Sequence, residues 1–209
     1  VHSDNVGMTF IANRMGQDKM YDYLNKFGIG QLTNIDLQGE ANIPLRKKGT
    51  WNVVDLATSS FGQGVSTTPI QIIRGVAAIA NGGYIVNPKI VDNGNTNEKK
   101  RIISEDSAEA VTKMMVEAAA HGESKWTNLK GFSVAGKTGT AQIPIQGHYD
   151  ADKTIASFVG FAPSNNPKFV MLVTLKEPQS SQWASETAAP LWYDIAKDLF
   201  QIFGIQPEN

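Results

Sequence analysis

The sequence predicts an α+β fold in which helices precede an antiparallel β-sheet and a last helix packs on that sheet. Three observations predict this class. Apolar residues recur at helical spacing before residue 131, three later segments are rich in β-branched and aromatic residues, and helical spacing returns from Glu186 to Phe203. Helices and strands therefore fall in separate runs along the chain, which favours α+β over an alternating α/β arrangement.

Four helices are predicted before residue 131, each from apolar residues at helical spacing between start and stop residues. They cover Asn5–Gly16, Asp18–Gly28, Ser66–Gly83 and Ser104–Gly122. We expect Asp18 to be the N-cap of the second helix and Pro69 to lie in the first turn of the third. In the fourth, Asp106 and Glu109 form a capping pattern.

Three strands are predicted next: Phe132–Ile143, Thr154–Ala162 and Lys168–Lys176. The last two are separated by PSNNP, whose composition is typical of a tight turn, so they should form an antiparallel hairpin. The final helix is expected to pack on the sheet. Its apolar face is predicted to consist of Leu191, Ile195, Leu199 and Ile202.

Bulk composition excludes several classes of function. The chain has 209 residues, of which 41% are hydrophobic, a length that suits one domain with a substantial core. A net charge of −1 disfavours nucleic acid as the main partner. Without cysteine there are no disulfides or thiolate ligands. His2, His121 and His148 show no ligand spacing, so we expect no metal and no cofactor. No apolar run approaches the ~20 residues of a membrane span.

The segment GFSVAGKTGTAQ, Gly131–Gln142, fits two different signatures. Its first eight residues match G-x-x-x-x-G-K-T of nucleotide-binding loops, and it also contains the K-T-G of penicillin-binding enzymes. A phosphate loop needs a buried strand before it and a helix after it. The preceding residues are polar, and Gly139, several β-branched residues and Pro144 disfavour a following helix. Nucleotide binding is therefore the weakest interpretation, and a strand is predicted.

On such a strand, Lys137 and Gly139 face one way while Thr138 and Thr140 face the other. Glycine within a strand often marks a bulge or the close approach of a ligand. A lysine, two hydroxyls and bare backbone on an accessible strand suit an anionic substrate with a carbonyl near the backbone. The alternative is an ordinary edge strand with a solvated lysine.

A second short motif, Ser3–Asp4–Asn5, stands immediately before the first predicted helix. Serine, aspartate and asparagine are the usual N-cap residues, so on its own this motif favours a simple helix cap. Its occurrence together with K-T-G reverses that preference, because S-D-N and K-T-G belong to one active-site set.

With these two motifs the sequence resembles the transpeptidase domain of class B penicillin-binding proteins, within the superfamily of penicilloyl-serine transferases and serine β-lactamases. The resemblance covers essentially the whole chain in the family's order and approximate spacing. It is carried by SDNVGM (Ser3–Met8), DLATSSFGQGVSTTPIQ (Asp55–Gln71), AAIANGG (Ala77–Gly83), VAGKTGTAQ (Val134–Gln142) and ASFVGFAPSNNP (Ala156–Pro167). It implies an antiparallel sheet with flanking helices plus a helical subdomain. Residues 1–130 would be the mainly helical part, and 131–209 the sheet part with its final helix.

The resemblance also implies a chemistry. The family cross-links peptidoglycan stem peptides through an acyl-serine intermediate, and β-lactam antibiotics acylate the same serine. Ser3 would relay a proton to the leaving nitrogen, Asn5 would hydrogen-bond the acyl amide, and Lys137 would attract the substrate carboxylate and tune the proton relay. Substrate would be bound by Thr138, Gly139, Thr140 and Gln142, and by Phe61 and Gln63 from a loop that lines the family's cleft. The implied partners are the cell-wall synthesis machinery, and the implied location is the extracytoplasmic face of the bacterial cell membrane.

The family's nucleophile comes from S-x-x-K, but no serine in these 209 residues stands three positions before a lysine. We therefore expect the chain to be the C-terminal part of a transpeptidase domain, incomplete at its N-terminus and inactive alone. The missing N-terminal part of the same domain would then be a partner. Two alternatives stay open: a serine β-lactamase or β-lactam sensor domain, and a non-catalytic structural or binding fragment.

Overall fold

The computed structural model describes residues 2–92, 99–145 and 148–208. They form two compact units, one covering Ser3–Glu105 and the other made mainly of the residues from Asp106 onward. Helices dominate the first unit, and the second contains a three-stranded antiparallel sheet. The predicted α+β class is confirmed.

Four helices and a short antiparallel strand pair make up the described part of the first unit. They are α1 (Asn5–Met15), α2 (Gln17–Lys26), α3 (Val53–Ser60), α4 (Pro69–Ala80), β1 (Tyr84–Ile85) and β2 (Lys100–Arg101). Helix α1 packs against α3. Helix α4 begins with a capping box between Thr68 and Gln71, and Pro69 occupies its first turn, where a missing N–H costs nothing.

Two helix starts and one whole helix differ from the sequence-based prediction. Asp18 lies inside α2 and is not its N-cap, because Gly16, with a φ of 83°, both ends α1 and begins α2. Asp106 likewise lies inside its helix, which begins one residue earlier. Helix α3 was not predicted. Its eight residues are too few for a clear apolar period, and a capping box between Asn52 and Asp55 fixes its start.

Along the chain, the second unit has one long helix before its sheet and one after it. Its elements are α5 (Glu105–His121), a 3-10 turn (Lys125–Thr127), β3 (Ala135–Ile145), β4 (His148–Ala162), β5 (Phe169–Lys176) and α6 (Ala188–Ile202). Strand β4 lies between β3 and β5 and pairs antiparallel with both. The three predicted strands, the hairpin and the final helix are thereby confirmed.

Helix α6 packs on the sheet through a different face from the predicted one. Trp192, Tyr193 and Phe200 are buried, whereas Leu191 is 42% exposed and Ile202 is 74% exposed. The buried face combines these aromatic side chains with fully buried alanines at 188, 189 and 196. Alanines let the helix approach the sheet closely while the large rings fill the remaining space. This face of the helix therefore packs on the sheet, and the aliphatic face does not.

The hydroxyl of Tyr193 is buried with no hydrogen-bond partner among the described residues, and burial raises its pKa. Tyr193→Phe removes this unsatisfied group and is expected to raise the free energy of unfolding by about 1 kcal/mol. Because the folded-state pKa lies above the unfolded value of about 10, the wild type should lose stability as pH rises past 10, and the variant should lose less.

Urea unfolding followed by circular dichroism at pH 8 and at pH 10.5 measures both effects. Tyr23→Phe is the matched control, because Tyr23 is 42% exposed. A Tyr193→Phe variant less stable than the wild type at pH 8 would show that the hydroxyl has a stabilising partner.

Candidate active site

The K-T-G-T run lies on β3, an outer strand of the described sheet. Thr138 is opposite Phe158 and Thr140 is opposite Ala156, both of which are fully buried. Directly opposed residues of an antiparallel pair share a face. The two threonines therefore lie along the core face, which carries α6, and Lys137 lies on the other face.

The two glycines that flank Lys137 have different surroundings. A Cβ atom on Gly136 would lie 2.8 Å from Cε1 of Phe158, so only glycine lets this core ring pack against the strand. A Cβ atom on Gly139 would meet nothing within 4 Å, and Gly139 is exposed. Gly136 is therefore a packing glycine, whereas Gly139 leaves open space where a ligand can approach the backbone.

Lys137 is half-buried, and its ammonium group contacts the next residue. Its Nζ donates to the backbone carbonyl of Thr138 at 2.9 Å and to Oγ1 of the same residue at 3.2 Å. Burial lowers the pKa of Lys137, and the negative charge of Glu123 opposes that shift. A lysine whose ammonium holds its proton less tightly than usual is suited to a proton relay.

Both threonine hydroxyls are engaged inside the second unit. Oγ1 of Thr138 donates to Oε2 of Glu123 at 2.8 Å, and Oγ1 of Thr140 accepts from the amide of Ala184 at 3.1 Å. A hydroxyl has one proton and two acceptor positions, so Thr140 can still donate to a ligand. Gln142 is exposed farther along β3, at the point where the pairing with β4 shifts register.

The S-D-N motif begins α1 in the first unit. Asp4 is the N-cap: its Oδ1 accepts from the amide of Val6 at 2.9 Å and from the amide of Gly7 at 3.2 Å. Ser3 precedes the helix, Asn5 is its first residue, and both are exposed. Helix capping therefore accounts for Asp4, but it does not account for Ser3 or Asn5.

Phe61 and Gln63 lie in a tight turn after α3, also in the first unit. Gly62 has a φ of 93°, and the amides of Gln63 and Gly64 donate to the carbonyl of Thr58 at 3.0 and 3.1 Å. Both side chains are half-buried. This turn has a defined backbone, and the sequence-based role of its side chains as a cleft lining stays a prediction.

One residue of the K-T-G surroundings was not foreseen. Glu123 is 15 residues before Thr138, between α5 and the 3-10 turn, and belongs to no motif. Only the folded chain brings its carboxylate to Thr138 and Lys137. Among the described side chains, no three histidine, aspartate or glutamate residues cluster as metal ligands, and the side chain of His148 lies outside the described residues.

Residues 1–200 match the protein family described as the penicillin binding protein transpeptidase domain. The chain belongs to this family. The match covers both motifs, and the resemblance predicted from them is confirmed. Among the described residues of this penicillin-binding transpeptidase chain, no helix is both long and apolar enough to cross a bilayer.

Two curated relatives are much longer than this chain. Stage V sporulation protein D of Bacillus subtilis is 36% identical over 100% of this chain and 34% of its own length. Peptidoglycan D,D-transpeptidase FtsI of Buchnera aphidicola is 34% identical over 99% of this chain and 37% of its own length. The chain thus spans about a third of the length of these relatives.

Solved structures of the family share the fold. The transpeptidase domain of penicillin-binding protein 3 from Burkholderia pseudomallei aligns with a TM-score of 0.90 and 30% identity, covering 98% of this chain and 63% of that one. Penicillin-binding protein 3 from Mycobacterium tuberculosis, solved with ampicillin, aligns with a TM-score of 0.88 and 31% identity, covering 99% and 50%.

Proposed function

We propose that this chain supplies the S-D-N and K-T-G parts of a serine D,D-transpeptidase site. The reaction would cross-link peptidoglycan stem peptides through an acyl-serine intermediate, and β-lactams would block it by acylating the same serine. The nucleophilic serine and its lysine would come from polypeptide outside these 209 residues. The partners would be cell-wall synthesis proteins, and the place of action would be the extracytoplasmic face of the bacterial membrane.

The observation that carries the proposal is the chemistry of β3. A desolvated lysine, a hydroxyl bonded to it and an open glycine follow one another on an outer strand. A peptide that ends in D-Ala–D-Ala has a carboxylate for the cation and hydroxyls, and a carbonyl that can lie against the bare backbone at Gly139. The relative named as a D,D-transpeptidase and the family member solved with ampicillin support this assignment.

Each residue has an assigned part in the proposed reaction, and Lys137 also tunes the proton relay. Lys137, Thr138 and Thr140 bind the terminal carboxylate, and the backbone amide of Thr140 donates to the oxyanion that forms when serine attacks the carbonyl. Ser3 passes a proton to the departing D-Ala nitrogen, and Asn5 holds the acyl amide. Phe61, Gln63 and Gln142 contact the rest of the peptide. An amine from a second stem peptide then takes the acyl group and frees the serine.

Intact-mass spectrometry after incubation with excess benzylpenicillin tests the proposal. The 209-residue chain alone is expected to keep its mass, because it lacks S-x-x-K. A fusion that places this chain after the S-x-x-K-bearing segment of a family member is expected to gain one penicilloyl group per molecule. A fusion to an unrelated domain is the control. A stoichiometric adduct on the chain alone, or a folded S-x-x-K fusion without one, would contradict the proposal.

A non-catalytic structural or binding role is the second candidate, and the absence of S-x-x-K from these residues favours it. The same fusion separates a transpeptidase from a serine β-lactamase. A transpeptidase should keep the penicilloyl group for hours, whereas a β-lactamase releases it within seconds, so the decay of the adduct mass distinguishes them.

A further inference from the structure

Glu123, Thr138 and Lys137 form a hydrogen-bonded chain with a fixed direction. The Lys137 ammonium can only donate, and it donates to Oγ1 of Thr138 at 3.2 Å. The Thr138 hydroxyl then sends its own proton to Oε2 of Glu123 at 2.8 Å. The chain therefore ends on a carboxylate, the group that a substrate bound at this strand would present.

The backbone around Glu123 is held in place even though its side chain is exposed. Gly122 and Ser124, its neighbours in the sequence, are both buried. The amide of Gly122 donates to the carbonyl of Ala118 at 3.0 Å, and the amide of Thr127 donates to the carbonyl of Ser124 at 3.0 Å. The last turn of α5 and the 3-10 turn thus anchor Glu123 on both sides and keep its carboxylate within reach of β3.

We propose that Glu123 is a specificity-determining residue that occupies the Thr138 hydroxyl as an internal carboxylate until a substrate carboxylate displaces it. This inference rests on the proposed function, because it takes Thr138 as part of the carboxylate-binding site. Since a hydroxyl has a single proton, Thr138 cannot donate it to Glu123 and to a ligand at the same time. A bound carboxylate also meets the repulsion of the Glu123 charge.

The consequence is selectivity by competition. A ligand that binds only through its carboxylate gains little affinity, because it merely replaces the Glu123 carboxylate on the Thr138 hydroxyl. A ligand that also lies along the strand beside Gly139 has additional contacts to offset the displacement. Glu123 therefore lowers the affinity of the site for anions that use the carboxylate subsite alone.

The test measures binding to the 209-residue chain by NMR, from the backbone amide shifts of Gly139 and Thr140. The two probes are N-acetyl-D-alanyl-D-alanine and its C-terminal amide, which lacks the carboxylate. Glu123→Gln is expected to bind the acid roughly three- to tenfold more tightly than the wild type, with no change for the amide. Glu117→Gln is the matched control, because Glu117 is an exposed glutamate on α5 that pairs with His121.

A second readout needs no ligand. The charge of Glu123 raises the pKa of Lys137 against the effect of burial, so Glu123→Gln should lower the pKa of Lys137 in an NMR titration of its side chain, and Glu117→Gln should not. An unchanged Lys137 pKa would overturn the inference whatever the binding result, because the two charges would then not be coupled.

The binding outcomes separate this inference from the proposed function. If wild type and Glu123→Gln both prefer the acid to the amide with equal affinities, the role of Glu123 is overturned and the carboxylate site stands. If neither protein prefers the acid, the carboxylate site itself is overturned, and the inference with it. Acid binding that tightens only in Glu123→Gln supports both.

Discussion

Replacing Trp192 by alanine is expected to lower the free energy of unfolding by about 3–5 kcal/mol, the largest stability change that we predict. Trp192 is fully buried on α6, and its ring lies 5.2 Å from the ring of Phe158 and 6.0 Å from that of Phe169. Its indole N–H donates to the carbonyl of Met171 at 2.9 Å. Alanine would leave a cavity between helix and sheet and would leave that carbonyl without this donor.

Urea unfolding of the 209-residue chain, followed by far-UV circular dichroism, measures this loss. Trp126→Ala is the matched control, because Trp126 is 85% exposed and should change stability by less than about 0.5 kcal/mol. Equal stabilities of the two variants would show that α6 does not depend on Trp192 for its attachment to the sheet.

The sheet was predictable from sequence because its strands are bounded by strong local signals. PSNNP separates two runs of β-branched and aromatic residues, and these became β4 and β5. The buried face of α6 was not predictable in the same way, because two apolar stripes compete on that helix. Hydrophobicity alone favours Leu191 and Ile195, whereas the burial of Trp192 depends on how it fits Phe158 on the sheet. That fit is a property of the packed core.

The candidate site also contains residues that the sequence predicts and a residue that only the folded chain brings to it. K-T-G and S-D-N are contiguous in the sequence, so their residues could be named before the fold was known. Glu123 could not be named, because its contact with Thr138 joins segments 15 residues apart and depends on where α5 ends. For Asp4 the sequence fits a motif and a helix cap equally well, and the structure identifies the cap, because the amides of Val6 and Gly7 donate to its side-chain Oδ1.

Lys137→Ala is expected to slow acylation by about 10²- to 10⁴-fold in the fusion that supplies S-x-x-K. Lys137 has a pKa lowered by burial and donates to Thr138. On the proposed function, alanine removes both the cation that would attract the substrate carboxylate and the group that would tune the proton relay. The measurement is the second-order rate constant for a fluorescent penicillin under single-turnover conditions, with the saturating rate and the half-saturating concentration determined separately.

Two further variants give this prediction its controls. Lys113→Ala should leave the rate unchanged, because Lys113 is exposed on α5 and pairs with Glu109 four residues away. Lys137→Arg keeps a cation but holds its proton too tightly to serve a relay. If Lys137 acts only on the carboxylate, arginine should restore the half-saturating concentration and the rate together. If Lys137 also tunes the relay, arginine should restore only the half-saturating concentration, and the saturating rate should stay low. An alanine variant as fast as the wild type would remove Lys137 from the proposed site, because neither its charge nor its proton would then matter to the reaction.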